Sequence, residues 1–291
     1  MTWVKLFLAG HTIALIFGVL GILIALPNPQ LWAADENARL VFAFGMQWGG
    51  ASQIVLGFAA MLAYGFVTVG KRRTAIFLGA AVVISLTYEL LGTGTGWPFG
   101  AYSYTDGLGP RVMDRVPATI PLSWFYMGFA CYLLAQMVVT RFRPPWAAAV
   151  TVVLGAWLLT GWDTVLDPAM AHEDMPLKFW VWHETGPYFG MPAKNFAGWV
   201  ATGLTFMAVA RFFWRGGVDI SPRQAAIPGF VLALNLVWAA VLSSHVGLWA
   251  PLLVTLTVGM APLTLALVFW RWARPSPAFE SSSDIVEPSA G

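Results

Sequence analysis

Residues 6–26 read LFLAGHTIALIFGVLGILIAL, an apolar run of about 21 residues that begins directly after Lys5. An α-helix rises about 1.5 Å per residue, so about 20 such residues cross a hydrocarbon core roughly 30 Å thick. The apolar part of a secretory signal is shorter, about 7–15 residues, and a small-residue cleavage site follows it. Here the run ends in Pro27-Asn28-Pro29 instead. We therefore interpret residues 6–26 as a membrane-spanning helix.

Apolar runs of this kind recur along the chain, in which 58% of the residues are hydrophobic and only 10% are charged. Soluble domains usually carry about 25% charged residues. Seven further candidate spans lie at residues 42–67, 75–91, 120–139, 147–165, 196–213, 226–242 and 248–270. We predict an all-α, polytopic transmembrane helix bundle of about eight spans, with residues 1–274 as the membrane domain. Residues 275–291 are rich in Ser, Pro and acidic side chains and are predicted to be a disordered tail.

The distribution of Lys and Arg orients the predicted bundle. Eleven of the 16 lie in the termini and in the short loops after even-numbered spans, and five lie in the other loops. Cytoplasmic loops are the richer ones, so both termini are predicted to be cytoplasmic, in a multi-pass protein of the cell membrane. The net charge of +2, without a dense basic run, argues against a nucleic-acid partner. The single cysteine, Cys131, excludes intrachain disulfides and cysteine-based metal clusters.

Carboxylates gather where two long loops, residues 92–117 and 167–194, meet the membrane. Glu89 lies near the end of the third span and Asp163 near the end of the fifth, and Asp167 follows Asp163 at i+4, on the same helix face. A charge at the centre of a bilayer helix costs about 2.5–3.5 kcal/mol, so these groups are expected to face a cavity or a partner. The alternative is that they cap the helix ends. Their partners would then be basic residues of the loops, namely Arg111, Arg115 and Lys194.

Other polar residues carry weaker signals. His172, Glu173, Asp174, His183 and Glu184 could bind a metal, but their spacing fits no helical His pair, so we predict a surface loop and no metal site. The glycine triplet of residues 92–96 does not open a helix after a strand, which argues against a nucleotide site. Three polar residues inside spans are predicted to form contacts between helices, namely His11, Gln53 and Asn235.

Several phrases of the sequence resemble the membrane carotenoid hydratases, that is, the bacterial carotenoid 1′,2′-hydratases and the haloarchaeal bisanhydrobacterioruberin hydratases. After Glu89, they are TGWPFGAYSY at residues 95–104, LGP at 108–110, VP at 116–117, PLSWF at 121–125, WDTVLDP at 162–168, GPYFG at 186–190 and NFAGW at 195–199. The resemblance covers about residues 40–213. It implies addition of water to the terminal double bond of a linear carotenoid in the membrane, without a cofactor. The substrate would be lycopene, γ-carotene or a fifty-carbon carotenoid.

This chemistry can be compared with the residues present. Protonation of carbon 2 leaves a tertiary cation at carbon 1, which water captures, so the site needs a carboxylic acid, a group that orients water, and walls that tolerate a cation. We predict the catalytic groups to be Glu89, Asp163 and Asp167. Aromatic faces stabilise cations. The predicted substrate-binding residues are Trp97, Phe99, Tyr102, Tyr104, Trp124 and Trp162.

Two other classes of protein are alternatives. A prenyltransferase also handles polyprenyl chains in a helical bundle, but it needs two Asp-rich clusters to hold magnesium diphosphate, and residues 163–167 supply only one candidate. A transporter would carry polar residues at mid-membrane and broken helices. Here the polar groups collect toward one side of the predicted bundle.

Overall fold

The fold is described from a computed structural model, over residues 1–144 and 146–272. Its helices are α1 (Thr2–Leu20), α2 (Glu36–Thr68), α3 (Lys71–Thr95), α4 (Ile120–Phe142), α5 (Ala147–Met170), α6 (Lys194–Trp214), α7 (Pro222–His245), α8 (Trp249–Val254) and α9 (Ala261–Trp272). Five-residue π-helical segments continue α1 (Gly21–Ala25) and α8 (Thr255–Gly259), and a short 3₁₀ turn spans Pro29–Leu31. The predicted disordered tail, residues 275–291, lies outside the described residues.

In the described residues, seven helices are long and apolar enough to cross a membrane, and an eighth span is formed if α8 and α9 count as one bent helix. The prediction of about eight spans is therefore confirmed. The last span bends by 44° between Gly259 and Ala261. Pro262 follows the bend, and its ring lacks an N–H and collides with the carbonyl of residue 258 in a regular helix, which accounts for the break.

Helix α4 forms the centre of the bundle and α1 its periphery. The apolar window of α4 is 89% buried, whereas that of α1 is only 17% buried. Helix α4 packs against α2, α3, α5 and α7, and the rings of Phe77, Phe125 and Phe129 form the middle of this core. Helix α1 packs mainly against α2. The most apolar helix is thus the one that lies most exposed to the surroundings.

Helices α3 and α5 run further than the apolar pattern predicts. The apolar runs end near residues 91 and 165, whereas the helices continue to Thr95 and Met170. In the last turn of α3 the hydroxyls of Thr93 and Thr95 donate to the carbonyls of Glu89 (2.8 Å) and Leu91 (2.7 Å), so both polar side chains are satisfied within the helix. Gly96, with φ +74°, ends it in the left-handed conformation.

The two long loops form one ordered cap over the ends of α3 and α5. Strand β1 (Tyr102–Tyr104) from the first loop pairs antiparallel with β4 (Trp180–Trp182) from the second, and β2 (Arg111–Val112) pairs with β3 (Val116–Pro117). Glu184 joins the loops further, because its Oε1 accepts from the Ala101 N–H (2.9 Å) and from Lys194 Nζ (2.8 Å). The Lys194 contact lowers the pKa of this exposed carboxyl group.

Candidate active site

A cavity of about 90 Å³ lies beneath the cap and inside the bundle; we call it the acid chamber. Its wall includes the carboxyl groups of Glu89 and Asp167 and the amide of Asn195. Aromatic side chains make up much of the rest. They are Phe99, Tyr102, Tyr104, Trp124, Tyr126, Trp162, Trp180, Trp182, Trp199 and Trp238. The chamber therefore combines few polar groups with a largely aromatic wall.

Three donors converge on the buried side chain of Glu89. The hydroxyls of Tyr102 and Tyr104 both donate to its Oε2, the second at 2.8 Å, and Trp124 Nε1 donates to its Oε1 at 2.9 Å. Alternate residues of a strand point the same way, so β1 presents both tyrosines to α3. Gly92 on α3 permits the close approach of Tyr102, since a Cβ there would lie 3.1 Å from the Tyr102 ring and 2.8 Å from the ring of Phe99. Both oxygens of this carboxyl group are thereby held in place.

The two tyrosines of β1 remain hydrogen-bond donors across the physiological range. Burial, and then the charge of neighbouring Glu89, raise the pKa of Tyr102 and of Tyr104 well above the ordinary value of 10.0. Both effects disfavour the phenolate, because a second negative charge would be placed in a dry site beside a carboxylate. The hydroxyl protons therefore stay on these side chains near neutral pH.

The second acidic group of the site is the pair Asp163 and Asp167 on α5. Because α5 continues to Met170, the two side chains lie on one face, as the i, i+4 spacing predicts. Asn195, in the first turn of α6, connects them: its Nδ2 lies 3.1 Å from Asp163 Oδ2 and 2.6 Å from Asp167 Oδ2. Asp163 is fully buried behind the wall, and its Oδ1 has no hydrogen-bond partner among the described residues. Of these three residues, Asp167 and Asn195 line the chamber and Asp163 does not.

Two of the three basic residues predicted as alternative partners of these carboxyl groups form ion pairs elsewhere. Arg111 pairs with Asp106 at 3.0 Å, and Lys194 pairs with Glu184 at 2.8 Å. Among the described residues, the side chains that donate hydrogen bonds to the site carboxyl groups are neutral ones of Tyr, Trp and Asn.

The structure brings together five of the six aromatic residues predicted to bind substrate. Those on the chamber wall are Phe99, Tyr102, Tyr104, Trp124 and Trp162. Trp97 lies apart: its side chain is 60% exposed and stacks on Tyr88, with ring centroids 5.9 Å apart. The cause is Gly96, whose left-handed backbone ends α3 and turns the next residue outward.

Several wall residues were not predicted from the sequence. Asn195 and Trp199 lie at i, i+4 on α6, so the available sequence signal was a polar residue one turn before a Trp at the start of an apolar helix. Trp180 and Trp182 alternate around Val181 on β4, a period of two that indicated one common face. Trp199 also packs against Trp124, with ring centroids 4.2 Å apart.

The loop histidines do not form a ligand cluster. His172 lies near Asp174 (3.8 Å), whereas His183 Nε2 bonds to Ser103 Oγ (2.9 Å). Within residues 1–144 and 146–272, no three His, Cys, Asp or Glu side chains are grouped as metal ligands.

The polar residues inside the spans mostly bond between helices, as predicted. His11 Nδ1 lies 2.7 Å from the Gln53 carbonyl, and Asn235 Nδ2 lies 3.2 Å from His11 Nε2. Tyr126 donates to Asn235 Oδ1 at 3.0 Å. This network links α1, α2, α4 and α7.

Comparison with known proteins places the chain in a family. Residues 49–262 match the family described as "Carotenoid biosynthesis protein". The chain is also 29% identical over 213 residues to bisanhydrobacterioruberin hydratase of Haloarcula japonica, an alignment that covers 72% of this chain and 67% of that protein. No solved structure matches. The family match spans more than half of the chain and includes the whole wall of the acid chamber. This chain therefore belongs to the carotenoid biosynthesis protein family.

Proposed function

We propose that this protein is a carotenoid hydratase that adds water across the terminal 1,2 double bond of a linear carotenoid end and forms a tertiary alcohol. The observation that carries the proposal is a pair of buried carboxyl groups, Glu89 and Asp167, on one cavity walled by aromatic rings. The family match and the name of the haloarchaeal relative, a hydratase, support the same reaction class.

The reaction moves one proton onto the substrate and one off the water. A carboxylic acid gives its proton to carbon 2, and the π electrons of the double bond form the new C–H bond. Carbon 1 becomes a tertiary cation, and a water oxygen bonds to it. A carboxylate then accepts one proton of that water. Before the next turnover this carboxyl group releases its proton and the donor regains one, so the sum is one added water without oxidation or reduction.

Asp167 is the proposed proton donor, with Asp163 as its positioning partner. Asp167 reaches the chamber wall, while Asp163 lies behind it on the same amide nitrogen of Asn195. Two carboxyl groups at such close quarters in a dry site repel when both are ionised. The arrangement therefore favours a single proton shared by Asp163 and Asp167. Asp167 can transfer that proton to the substrate because it lines the chamber.

Glu89 is the proposed acceptor of the proton from water. Its two oxygens accept from Tyr102, Tyr104 and Trp124, and these three groups present N–H or O–H bonds to it. A carboxylate fixed in this way can orient a water molecule and stabilise a nearby cation. The rings of Trp162 and Trp199 supply further cation stabilisation, up to about 2 kcal/mol for a desolvated contact.

The depth of the chamber suits one end of a long polyene. A forty-carbon carotenoid is about as long as the hydrocarbon core is thick, roughly 30 Å, so its end lies near the interface. The acid chamber lies directly beneath the cap, and we propose that water reaches it from that side of the membrane. We propose lycopene, γ-carotene or a fifty-carbon linear carotenoid as substrate, in a cell membrane.

The test is expression in hosts that accumulate each of these three pigments, followed by mass analysis. We expect a product heavier by one water per reacted end, without added cofactor, and incorporation of the oxygen label when purified protein reacts in heavy-oxygen water. The control is the double variant Glu89→Gln/Asp167→Asn at equal membrane level. Unchanged pigment in all three hosts would overturn the proposal. A product enlarged by a prenyl unit would identify a prenyltransferase instead.

A further inference from the structure

A second and larger cavity, of about 500 Å³, lies beside the acid chamber between α1 and α2; we call it the α1–α2 groove. Its wall is almost entirely apolar and includes Phe17, Ile24, Trp32, Phe42 and Met46. Helix α1 is the most exposed span of the bundle, so the groove lies at the side of the protein that faces lipid.

The groove and the chamber share two wall residues. Gln53 and Trp238 line both cavities, so the two spaces adjoin at this pair. Trp238 is only 6% exposed, and its Nε1 has no hydrogen-bond partner among the residues that the structure describes. A Cβ on Gly18, in the groove wall, would lie 3.7 Å from Gln53 Oε1 and 3.9 Å from this Nε1. The junction is therefore the polar end of an apolar groove.

We propose that the α1–α2 groove binds the polyene chain of the carotenoid, while its terminal isopropylidene group passes between Gln53 and Trp238 into the acid chamber. This inference rests on the proposed function and assigns the part of the protein that recognises substrate length. The chamber, of about 90 Å³, is much smaller than the groove, of about 500 Å³, so we assign the end group to the chamber and the long chain to the groove.

The shape of the groove favours a flat polyene over a flexible acyl chain of a lipid. The rings of Trp32 and Phe42 stack on each other, with centroids 3.8 Å apart and an interplanar angle of 10°, and this contact holds both rings rigidly in the groove wall. Glycines from both sides of the groove, among them Gly21 and Gly49, leave the helix surfaces flat. A conjugated chain is planar and stiff, so it loses little entropy on such a surface.

Glycine substitutions test the groove without disturbing the chamber. A Cβ at Gly49 or at Gly21 would meet nothing within 4 Å, so a leucine there occupies open space rather than displacing backbone. Gly79 on α3 is the matched control: its Cβ also meets nothing within 4 Å, and it lines neither the groove nor the chamber. The variants are Gly49→Leu, Gly21→Leu and Gly79→Leu.

Two substrates separate length recognition from chemistry. One is lycopene, and the other is a short branched alkene of about five carbons, which carries the same end group and no chain to extend into the groove. We expect Gly49→Leu and Gly21→Leu to lower kcat/KM for lycopene by at least about tenfold, mainly through KM, and to retain turnover of the short hydrocarbon. Gly79→Leu should change neither. Equal losses on both substrates would overturn the proposal. No loss on either would also overturn it, because a leucine in the groove would then not interfere with the carotenoid chain.

A binding measurement keeps the inference separate from the proposed reaction. Purified Glu89→Gln/Asp167→Asn protein should bind lycopene with quenching of tryptophan fluorescence, and Gly49→Leu in that background should weaken binding by at least about tenfold while Gly79→Leu does not. If the unsubstituted protein hydrates neither substrate but this binding difference appears, the hydratase proposal fails and the groove stands. If hydration occurs and binding is unaffected by Gly49→Leu and Gly21→Leu, the groove proposal fails alone.

Discussion

The acid chamber and the α1–α2 groove adjoin at Gln53 and Trp238 but are built in opposite ways. In the chamber, donors from β1 and α4 fix both oxygens of Glu89, and Asn195 fixes Asp167. The groove offers mainly apolar side chains and glycines. The chamber wall lies wholly within the family match of residues 49–262, whereas most of the groove wall precedes residue 49.

This difference separates two requirements of the proposed reaction. Proton transfer needs acidic groups held at fixed positions, and such groups must be hydrogen-bonded when they are buried. Binding a polyene needs apolar area and a matching shape, which many side chains can provide. Changes in the chamber should therefore affect every substrate alike, and changes in the groove should depend on substrate length. The following predictions test this separation, beginning with the largest expected effect.

Loss of either wall carboxyl group should be the most severe change. Glu89→Gln and Asp167→Asn keep size and shape but remove the titrating proton, and the amide N–H groups introduced by Glu89→Gln would face the donors that surround this position. General acid–base groups contribute about 10²–10⁴-fold, so kcat should fall by that factor on long and short substrates alike. Pigment analysis at matched membrane levels measures this.

Asp163 and two loop histidines provide the controls for that prediction. The activity of Asp163→Asn should fall less than that of Asp167→Asn, since Asp163 does not reach the chamber wall. His172→Ala and His183→Ala should retain most activity. If Glu89→Gln and Asp167→Asn keep near-normal turnover, the assignment of the acid and the base is wrong. Inactive histidine variants together with inhibition by a chelator would instead favour a metal-dependent reaction.

Removing one donor to Glu89 should have an intermediate effect. Tyr104→Phe keeps the ring and its edge contact with Tyr102 but deletes the hydroxyl that donates at 2.8 Å. A hydrogen bond to a charged group contributes about 1.5–3 kcal/mol, which corresponds to roughly a 10- to 100-fold loss in kcat. Tyr188→Phe is the control, because its hydroxyl donates to the Thr164 carbonyl outside the chamber. Equal kinetics of the two variants would argue against a catalytic role for Glu89.

The raised pKa of Tyr102 and of Tyr104 predicts a loss of stability at alkaline pH. The folded state holds these protons more tightly than the unfolded state, whose tyrosines titrate near 10.0. The stabilisation is therefore complete below about pH 10 and decreases as the pH rises above it. Thermal unfolding in detergent between about pH 8 and pH 11 should show this, with a shallower decline for Tyr102→Phe/Tyr104→Phe. Equal slopes would contradict it.

The smallest effect is expected just outside the chamber. Trp97→Ala should change kcat/KM by less than about twofold, because its ring is 60% exposed and stacks on Tyr88 rather than on a wall residue. Phe99→Ala, two residues away but buried in the wall, should destabilise the protein by about 3–5 kcal/mol. A large kinetic loss for Trp97→Ala with unchanged stability would extend the binding site to the outer surface of the cap.

Much of the fold follows from the sequence alone because a membrane span is a local property. About 20 consecutive apolar residues must match one bilayer thickness, so the spans could be located without knowing their neighbours. The i, i+4 spacing of Asp163 and Asp167 is local in the same sense, and it places both on one face of α5. The sidedness of the termini and the disordered tail at residues 275–291 stay predictions.

Only the tertiary structure decided which of the predicted groups meet. Glu89 is joined to Trp124 from another span, and Asp167 to Asn195 across the second loop, contacts that depend on how helices pack and how β1 pairs with β4. The same packing brought Trp199 to the chamber wall and opened the groove between α1 and α2. Hydropathy and spacing describe one segment at a time, whereas a cavity is the space left between segments, and its shape follows from their mutual packing.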